Sequence, residues 1–252
     1  MDLTEADFQR MREAMVDDQL RSRGIDNARV LAAMRRVPRH RFVSPNFRHQ
    51  SYEDGPLPIG ENQTISQPFI VALMSQMLDL QGYERVLEIG TGCGYQTAVL
   101  CELAAYVYSL ERHPLLADRA GETLSALGYN NVDIHIGDGS QGLPDMEPFD
   151  AILVTAAAPS IPGPLATQLN RDGGRLVVPV GDSKSQQIFI VRRMGDRHTV
   201  ERTIAVRFVP LVGRFGFRDR ERGELRKRRR GRRDQHGDDT RSGDRDDSSV
   251  TV

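Results

Sequence analysis

The chain has 252 residues, 38% of them hydrophobic and 27% charged, enough for one α/β domain with a full core and a further segment. Of its 34 basic and 35 acidic residues, 12 and 9 lie from Arg218 onward, leaving 22 and 26 in the body, which therefore has no basic field suited to nucleic acid. Cys93 and Cys101 are too few for a disulfide framework or a cysteine metal set, and no apolar run approaches the ~20 residues of a membrane span.

Along the chain, Phe8, Met11, Met15 and Leu20 recur at helical spacing up to a stop at Gly24. A second helix is predicted from about Asn27 to Arg36, with Pro38 ending it. Ser51 to Ser66 is rich in proline, glycine and polar residues and reads as a loop. Pro68 fits the first turn of a third helix, because its missing N–H costs nothing there. From Arg85 the pattern alternates. Strands are predicted at 85–89, 106–110, 132–136, 149–154 and 174–180, with helical stretches at 95–104, 113–127 and 162–169 between them. Such βαβ alternation predicts a doubly wound, Rossmann-like parallel sheet. Two further strands, 187–193 and 199–208, read as an antiparallel hairpin closing that sheet.

After Phe217 the composition changes abruptly, with no aromatic residue and only Leu225, Val250 and Val252 as aliphatics. Such a segment buries too little apolar area to offset its ordering entropy, so disorder is expected. The organisation expected is therefore a helical region with a substrate loop over 1–80, a ligand-binding core over 81–213, and a charged tail over 214–252. The run Met1-Asp2-Leu3-Thr4-Glu5 has no basic segment followed by an apolar stretch, so no signal peptide is expected, and a cytoplasmic location is.

The most informative run is Arg85-Val86-Leu87-Glu88-Ile89-Gly90-Thr91-Gly92-Cys93-Gly94-Tyr95-Gln96. An apolar strand enters a glycine-rich turn and leaves through a helix, a backbone cradle at the C-terminal edge of a parallel sheet. A dinucleotide fingerprint would need glycine at 95, where this chain has tyrosine. With Glu88 ahead of Gly90, Gly92 and Gly94, the run instead resembles the first motif of S-adenosylmethionine-dependent methyltransferases. Glu111 ends the next predicted strand with Arg112 beside it, and a carboxylate there can accept hydrogen bonds from both ribose hydroxyls. Asp138 and Gly139 end the third strand, where Asp138 could accept the adenine amino group and Gly139 leave room for the ring. The plain alternative for that pair is an Asp-Gly turn.

The acceptor is narrowed by what is missing. After the fourth strand stands Val154-Thr155-Ala156-Ala157-Ala158-Pro159, without the amide and aromatic clamp of aminomethyltransferases and without a cysteine nucleophile. No His/Asp cluster suggests metal-assisted transfer. An acceptor that is already nucleophilic remains, such as a carboxylate, which is ionised at neutral pH and needs no base. It needs alignment and exclusion of water.

The run Leu57-Pro58-Ile59-Gly60-Glu61-Asn62-Gln63-Thr64-Ile65-Ser66-Gln67-Pro68 closely resembles the substrate loop of protein-L-isoaspartate O-methyltransferases. Arg35 to Val43, the glycine motif, Gly137-Asp138-Gly139, Phe149 to Ile152, Thr155 to Pro159, Gly173 to Leu176 and Val206 to Leu211 also look like that family, in order, over about residues 10–213. The resemblance implies methyl transfer from S-adenosylmethionine to the free carboxyl of L-isoaspartyl residues in damaged proteins and peptides. The ester then collapses through a succinimide, part of which hydrolyses to aspartate. The resemblance places Ser66 at the family's catalytic position, with Thr64, Ile65, Val209, Pro210 and Leu211 at the peptide. Serine is a poor base without an activating neighbour, so Ser66 reads as a hydrogen-bond donor to the carboxylate. It could also cap the helix at Pro68. Cys93 stands where family members usually have serine, and the charged tail has no family counterpart.

Two other readings compete: a nucleic-acid methyltransferase using the cluster Arg226 to Arg233, and a methyltransferase fold that binds partners without catalysis. Intact Glu88, glycine loop, Glu111 and Ser66 argue against the second. A monomer without metal or membrane partner is expected. A base such as His40 or His49 is the competing mechanism.

Overall fold

The computed structural model describes residues 3–218. Helix α1 (Glu5–Ala14) starts at Thr4, whose hydroxyl and the Asp7 carboxylate cap each other's backbone N–H. The first helix does not keep one geometry. It continues as a π-helical stretch, Met15–Leu20, and a 3-10 turn, Arg21–Arg23, and Gly24 ends it at φ +88°. Helix α2 (Ala28–Arg36) follows Asn27, whose side chain accepts from the N–H groups of Arg29 and Val30.

The segment read as a loop contains a small antiparallel hairpin, β1 (Leu57–Gly60) and β2 (Gln63–Ile65), with Leu57 opposite Ile65. Glu61 and Asn62 turn it with φ of 47° and 57°, the positive values a tight hairpin turn requires. Helix α3 (Pro68–Leu78) then leads to the main sheet.

That sheet holds β3 (Arg85–Ile89), β4 (Tyr106–Glu111), β5 (Val132–Ile136), β6 (Ala151–Val154), β7 (Asp172–Gly181), β8 (Gln186–Met194) and β9 (Arg197–Val206). Helices α4 (Tyr95–Leu103), α5 (Pro114–Ala126) and α6 (Gly163–Thr167) connect its parallel strands. The spatial order is β5-β4-β3-β6-β7-β8-β9, parallel as far as β7 and antiparallel for β8 and β9. The direction of winding reverses at β3, which places the glycine loop at the topological switch point.

Strand alternation divides the core into two layers. Val86, Val107, Leu153 and Val177 pack in one cluster with residues of α1 to α4. Leu87, Ile89, Ile152, Val154, Leu176 and Val178 pack in the other, with Leu165, Leu169 and Leu211. Truncating a fully buried member such as Leu87 to alanine typically costs about 2–5 kcal/mol.

Beyond β9 the chain returns toward the glycine loop. The Ala157 N–H donates to the Val209 carbonyl at 2.8 Å, and the Leu211 N–H to the Ala157 carbonyl at 2.7 Å. Residues 214–217, assigned to the tail by composition, are tied to the core. Arg214 donates its N–H to Asp138, Phe215 to the Ser140 hydroxyl and Phe217 to the Leu211 carbonyl. The rest of that expected tail, 219–252, lies outside the described residues.

Candidate functional site

A cleft of about 900 Å³, including its open mouth, lies at the carboxyl ends of β3, β4 and β6. Gly90 forms its floor at φ +98°, and a β-carbon there would stand 2.3 Å from the Thr155 hydroxyl oxygen. That hydroxyl donates to the Ile89 and Gly90 carbonyls, so threonine at the end of β6 locks the glycine turn. Gly139 meets the same kind of limit, with a β-carbon position 2.5 Å from Ile89 Cγ2.

Glu111 lines the cleft and is nearly buried. Its Oε2 accepts from the Gly92 N–H at 2.9 Å, and its Oε1 from the N–H groups of Arg112 and His113, each at 2.9 Å. Three of about four acceptor positions are thus taken, leaving one on Oε2. Arg112, Gly90, Gly92 and Gly139 also line the cleft.

Glu88, Gly94 and Asp138, expected to touch the ligand, do not line the cleft. Gly94 is the N-cap of α4. Glu88 is fully buried, where its Oε2 accepts from Thr97 at 2.5 Å and Ser109 at 2.6 Å. The Thr91 and Ser109 hydroxyls, 2.6 Å apart, extend that network to the glycine loop. Burial pushes the Glu88 carboxyl up to about 8, against the opposing pull of the two hydroxyls. Its role is to anchor the loop from within. Asp138 is likewise a brace. Its carboxylate accepts from the Ser140 N–H and hydroxyl, the Gln141 amide and the Arg214 N–H. Burial alone would raise its pKa, but those four donors outweigh it and hold it below the ordinary value. With its acceptor positions filled, it has none open to an adenine amino group.

The opposite wall brings together Thr64, Ile65 and Ser66 from the hairpin side and Val209, Pro210 and Leu211 from the returning chain. Ser66 does not cap α3. The N-cap is Gln67, with no side-chain capping bond, and the Ser66 hydroxyl has no hydrogen-bond partner among the described residues. The Ser66 carbonyl accepts from Arg39 at 2.8 Å.

His40 and His49 do not line the cleft, and burial lowers the pKa of His40. Among the described residues the cleft-lining histidine is His113, whose Nδ1 lies 3.7 Å from Glu61 Oε2 in the hairpin turn. Cys93 lines the cleft, yet burial pushes its thiol up to about 11 and leaves little thiolate at neutral pH. The described residues contain no grouping of three or more His, Cys, Asp or Glu that could hold a metal. Thr155, His113 and Arg39 were not singled out by sequence. Thr155 gave a faint signal as the hydroxyl at a strand end facing the glycine loop.

A doubly wound sheet closed by an antiparallel pair, with this cradle at its switch point, defines a Rossmann-like methyltransferase fold. The chain matches the protein-L-isoaspartate(D-aspartate) O-methyltransferase (PCMT) family over residues 10–216, and it belongs to that family. It is 57% identical over 212 residues to protein-L-isoaspartate O-methyltransferase 1 of Syntrophobacter fumaroxidans, spanning 83% of this chain and 98% of that one. It is 54% identical over 209 residues to the protein-L-isoaspartate O-methyltransferase of Methanoculleus marisnigri, spanning 82% and 94%. A solved protein-L-isoaspartate O-methyltransferase superposes with a TM-score of 0.72 at 30% identity, over 81% of this chain and 67% of that one. A Plasmodium falciparum structure described as the same activity, in complex with S-adenosyl-L-homocysteine, gives 0.69 at 25% identity over 80% and 98%.

Proposed function

We propose that this chain transfers a methyl group from S-adenosylmethionine to the free carboxyl of L-isoaspartyl residues in damaged proteins, beginning their repair through a succinimide. The observation that carries this reading is the cleft itself. One wall is a glycine cradle with an acid at its rim, and the other presents an unbonded serine hydroxyl on the family's substrate segment.

The residues fit the cofactor. Gly90 and Gly139 leave space that any β-carbon would fill, and Glu111 keeps one acceptor position for a ribose hydroxyl. Gly90, Gly92, Gly139, Glu111 and Arg112 would hold it, with Glu88, Gly94 and Asp138 supporting the loops from behind. When bound it supplies an electrophilic sulfonium methyl.

The protein's own part is alignment. The Ser66 hydroxyl donates to the acceptor carboxylate, and Thr64 with Ile65 borders it. Val209, Pro210 and Leu211 form the apolar side of the peptide groove and exclude competing water. The acceptor is ionised at neutral pH, so no group of the protein must take a proton. The rate on an isoaspartyl peptide is therefore expected to be nearly flat from about pH 6 to 8. An acid limb abolished by His113→Asn would overturn the no-base mechanism.

Methylation of three matched peptides, with isoaspartate, aspartate or no acidic residue, tests the function. Incorporation confined to the isoaspartyl peptide is expected. Equal labelling of the three would overturn isoaspartyl selectivity, and labelling of nucleic acid in their place would favour the rival built on residues 226–233, which lie outside those described. Cofactor binding without any transfer would favour the binding module. No helix among the described residues is long and apolar enough to cross a membrane. We assign the enzyme to the cytoplasm as a monomer.

A further inference from the structure

Arg39 is a charged side chain without an answering charge. It lies in the 3-10 turn Arg39–Phe42 after Pro38 and is 0% exposed. Its Nε–H donates to the Ser51 carbonyl at 2.7 Å, and its Nη2 to the Ser66 carbonyl at 2.8 Å, with the Gly55 carbonyl at 3.5 Å. The guanidinium carbon stands 4.8 Å from the centroid of the Tyr95 ring. Nη1 is buried with no hydrogen-bond partner, and no described carboxylate forms an ion pair with Arg39.

Holding carbonyl groups explains a donor at this place but not a full charge. A neutral amide could make such bonds, whereas a buried cation without an anion is costly. Neither Glu111, whose carboxylate accepts from three backbone N–H groups, nor Glu88, whose carboxylate accepts from Thr97 and Ser109, forms an ion pair with Arg39. Burial lowers the pKa of Arg39, but a guanidinium stays protonated in proteins. Ser66, which it grips by the carbonyl, and Tyr95, whose ring it overlies, both line the cleft.

We propose that Arg39 is a positioning and specificity residue that supplies, from behind the Ser66 segment, the counter-charge for the substrate carboxylate. It rests on the function proposed above. The cation selects a peptide that carries a free carboxylate over one that is the same shape but uncharged. At an effective dielectric near 20, opposite unit charges held a side chain's length apart attract enough to change affinity by roughly tenfold or more.

The test uses the full chain with two peptides, one isoaspartyl and one with the free carboxyl replaced by a carboxamide. Affinity is read as KM and dissociation constant for the first and as inhibition constant for the second. The wild type is expected to prefer the carboxylate by roughly tenfold or more. Arg39→Gln, which keeps a donor but no charge, should reduce that preference to under about threefold while leaving cofactor affinity near wild type. Arg39→Lys should restore most of it. A purely structural role would weaken both peptides alike in Arg39→Gln and leave their ratio unchanged, which would overturn the proposal. So would a wild type without preference, a measurement that needs no variant to fold. Failure of the function itself would look different, as carboxylate-selective binding without methyl transfer.

Discussion

On the cofactor side of the cleft, position is set by the sheet. Gly90 donates its N–H to the Leu110 carbonyl, Thr155 closes over it, and Glu88 and Glu111 hold the loop from below and from the side. On the peptide side, Thr64 to Ser66 come from a two-stranded hairpin that pairs with no other strand, and Ser66 is held by one arginine through its carbonyl. The difference separates two ways of building a wall. A ligand of constant shape suits a cradle fixed by the central sheet, whereas the opposite wall is assembled from a separate hairpin and a returning segment bridged to Ala157.

If the walls are independent, damage to one should spare the other. Ser66→Ala should give the largest effect, lowering methyl transfer roughly ten- to thousandfold while cofactor affinity stays close to wild type. Turnover of an isoaspartyl peptide together with calorimetry checks it, and a joint loss would mean the walls are coupled. Glu111→Ala should act in the opposite sense. Loss of charge-assisted hydrogen bonds worth ~1.5–3 kcal/mol each predicts roughly tenfold to hundredfold weaker cofactor binding. Unchanged affinity in a folded variant would remove Glu111 from the site.

The third expectation concerns the anchor beneath the cradle. Because burial raises the folded pKa of Glu88 from 4.5 to about 8, its contribution to stability is full below about pH 4.5 and is lost as pH rises toward 8. Glu88→Gln, uncharged at every pH, should lie close to wild type near pH 5 and melt clearly higher than it near pH 8.5. Thermal melts at the two pH values read this directly; the same difference at both would mean that Glu88 is not held neutral. The smallest effect is expected at the far end. Ending the chain after Arg218 should leave peptide methylation and melting temperature nearly unchanged, since the family match stops at 216. Ending it after Val212 should lower both by removing the Arg214 and Phe215 bonds to Asp138 and Ser140.

The glycine turn and its strand were legible because their determinants are local. An apolar strand, three glycines and an acid one strand later lie within 27 residues, and the acid's carboxylate accepts from the Gly92 N–H of that same loop. Asp138 was placed at the right strand end, but its bracing role was hidden, because one of its donors, Arg214, lies 76 residues on. The hairpin was hidden by strands of three and four residues and by a Glu61–Asn62 turn that lacks glycine. Arg39 was hidden by its neighbours. In Arg35-Arg36-Val37-Pro38-Arg39-His40-Arg41 nothing local marks which arginine is fully buried, since that depends on carbonyls 12 and 27 residues away.

The bridge between Ala157 and residues 209–211 also bears on synthesis. The cradle is encoded between residues 85 and 155, so a growing chain can form it while the last strands are still being made. The peptide wall waits for residues 209–217 to clear the ribosome, roughly 3–13 s after residue 155 at ordinary elongation rates. The glycine turn is thus complete in sequence before the segment that bridges to Ala157 and braces Asp138 has been made.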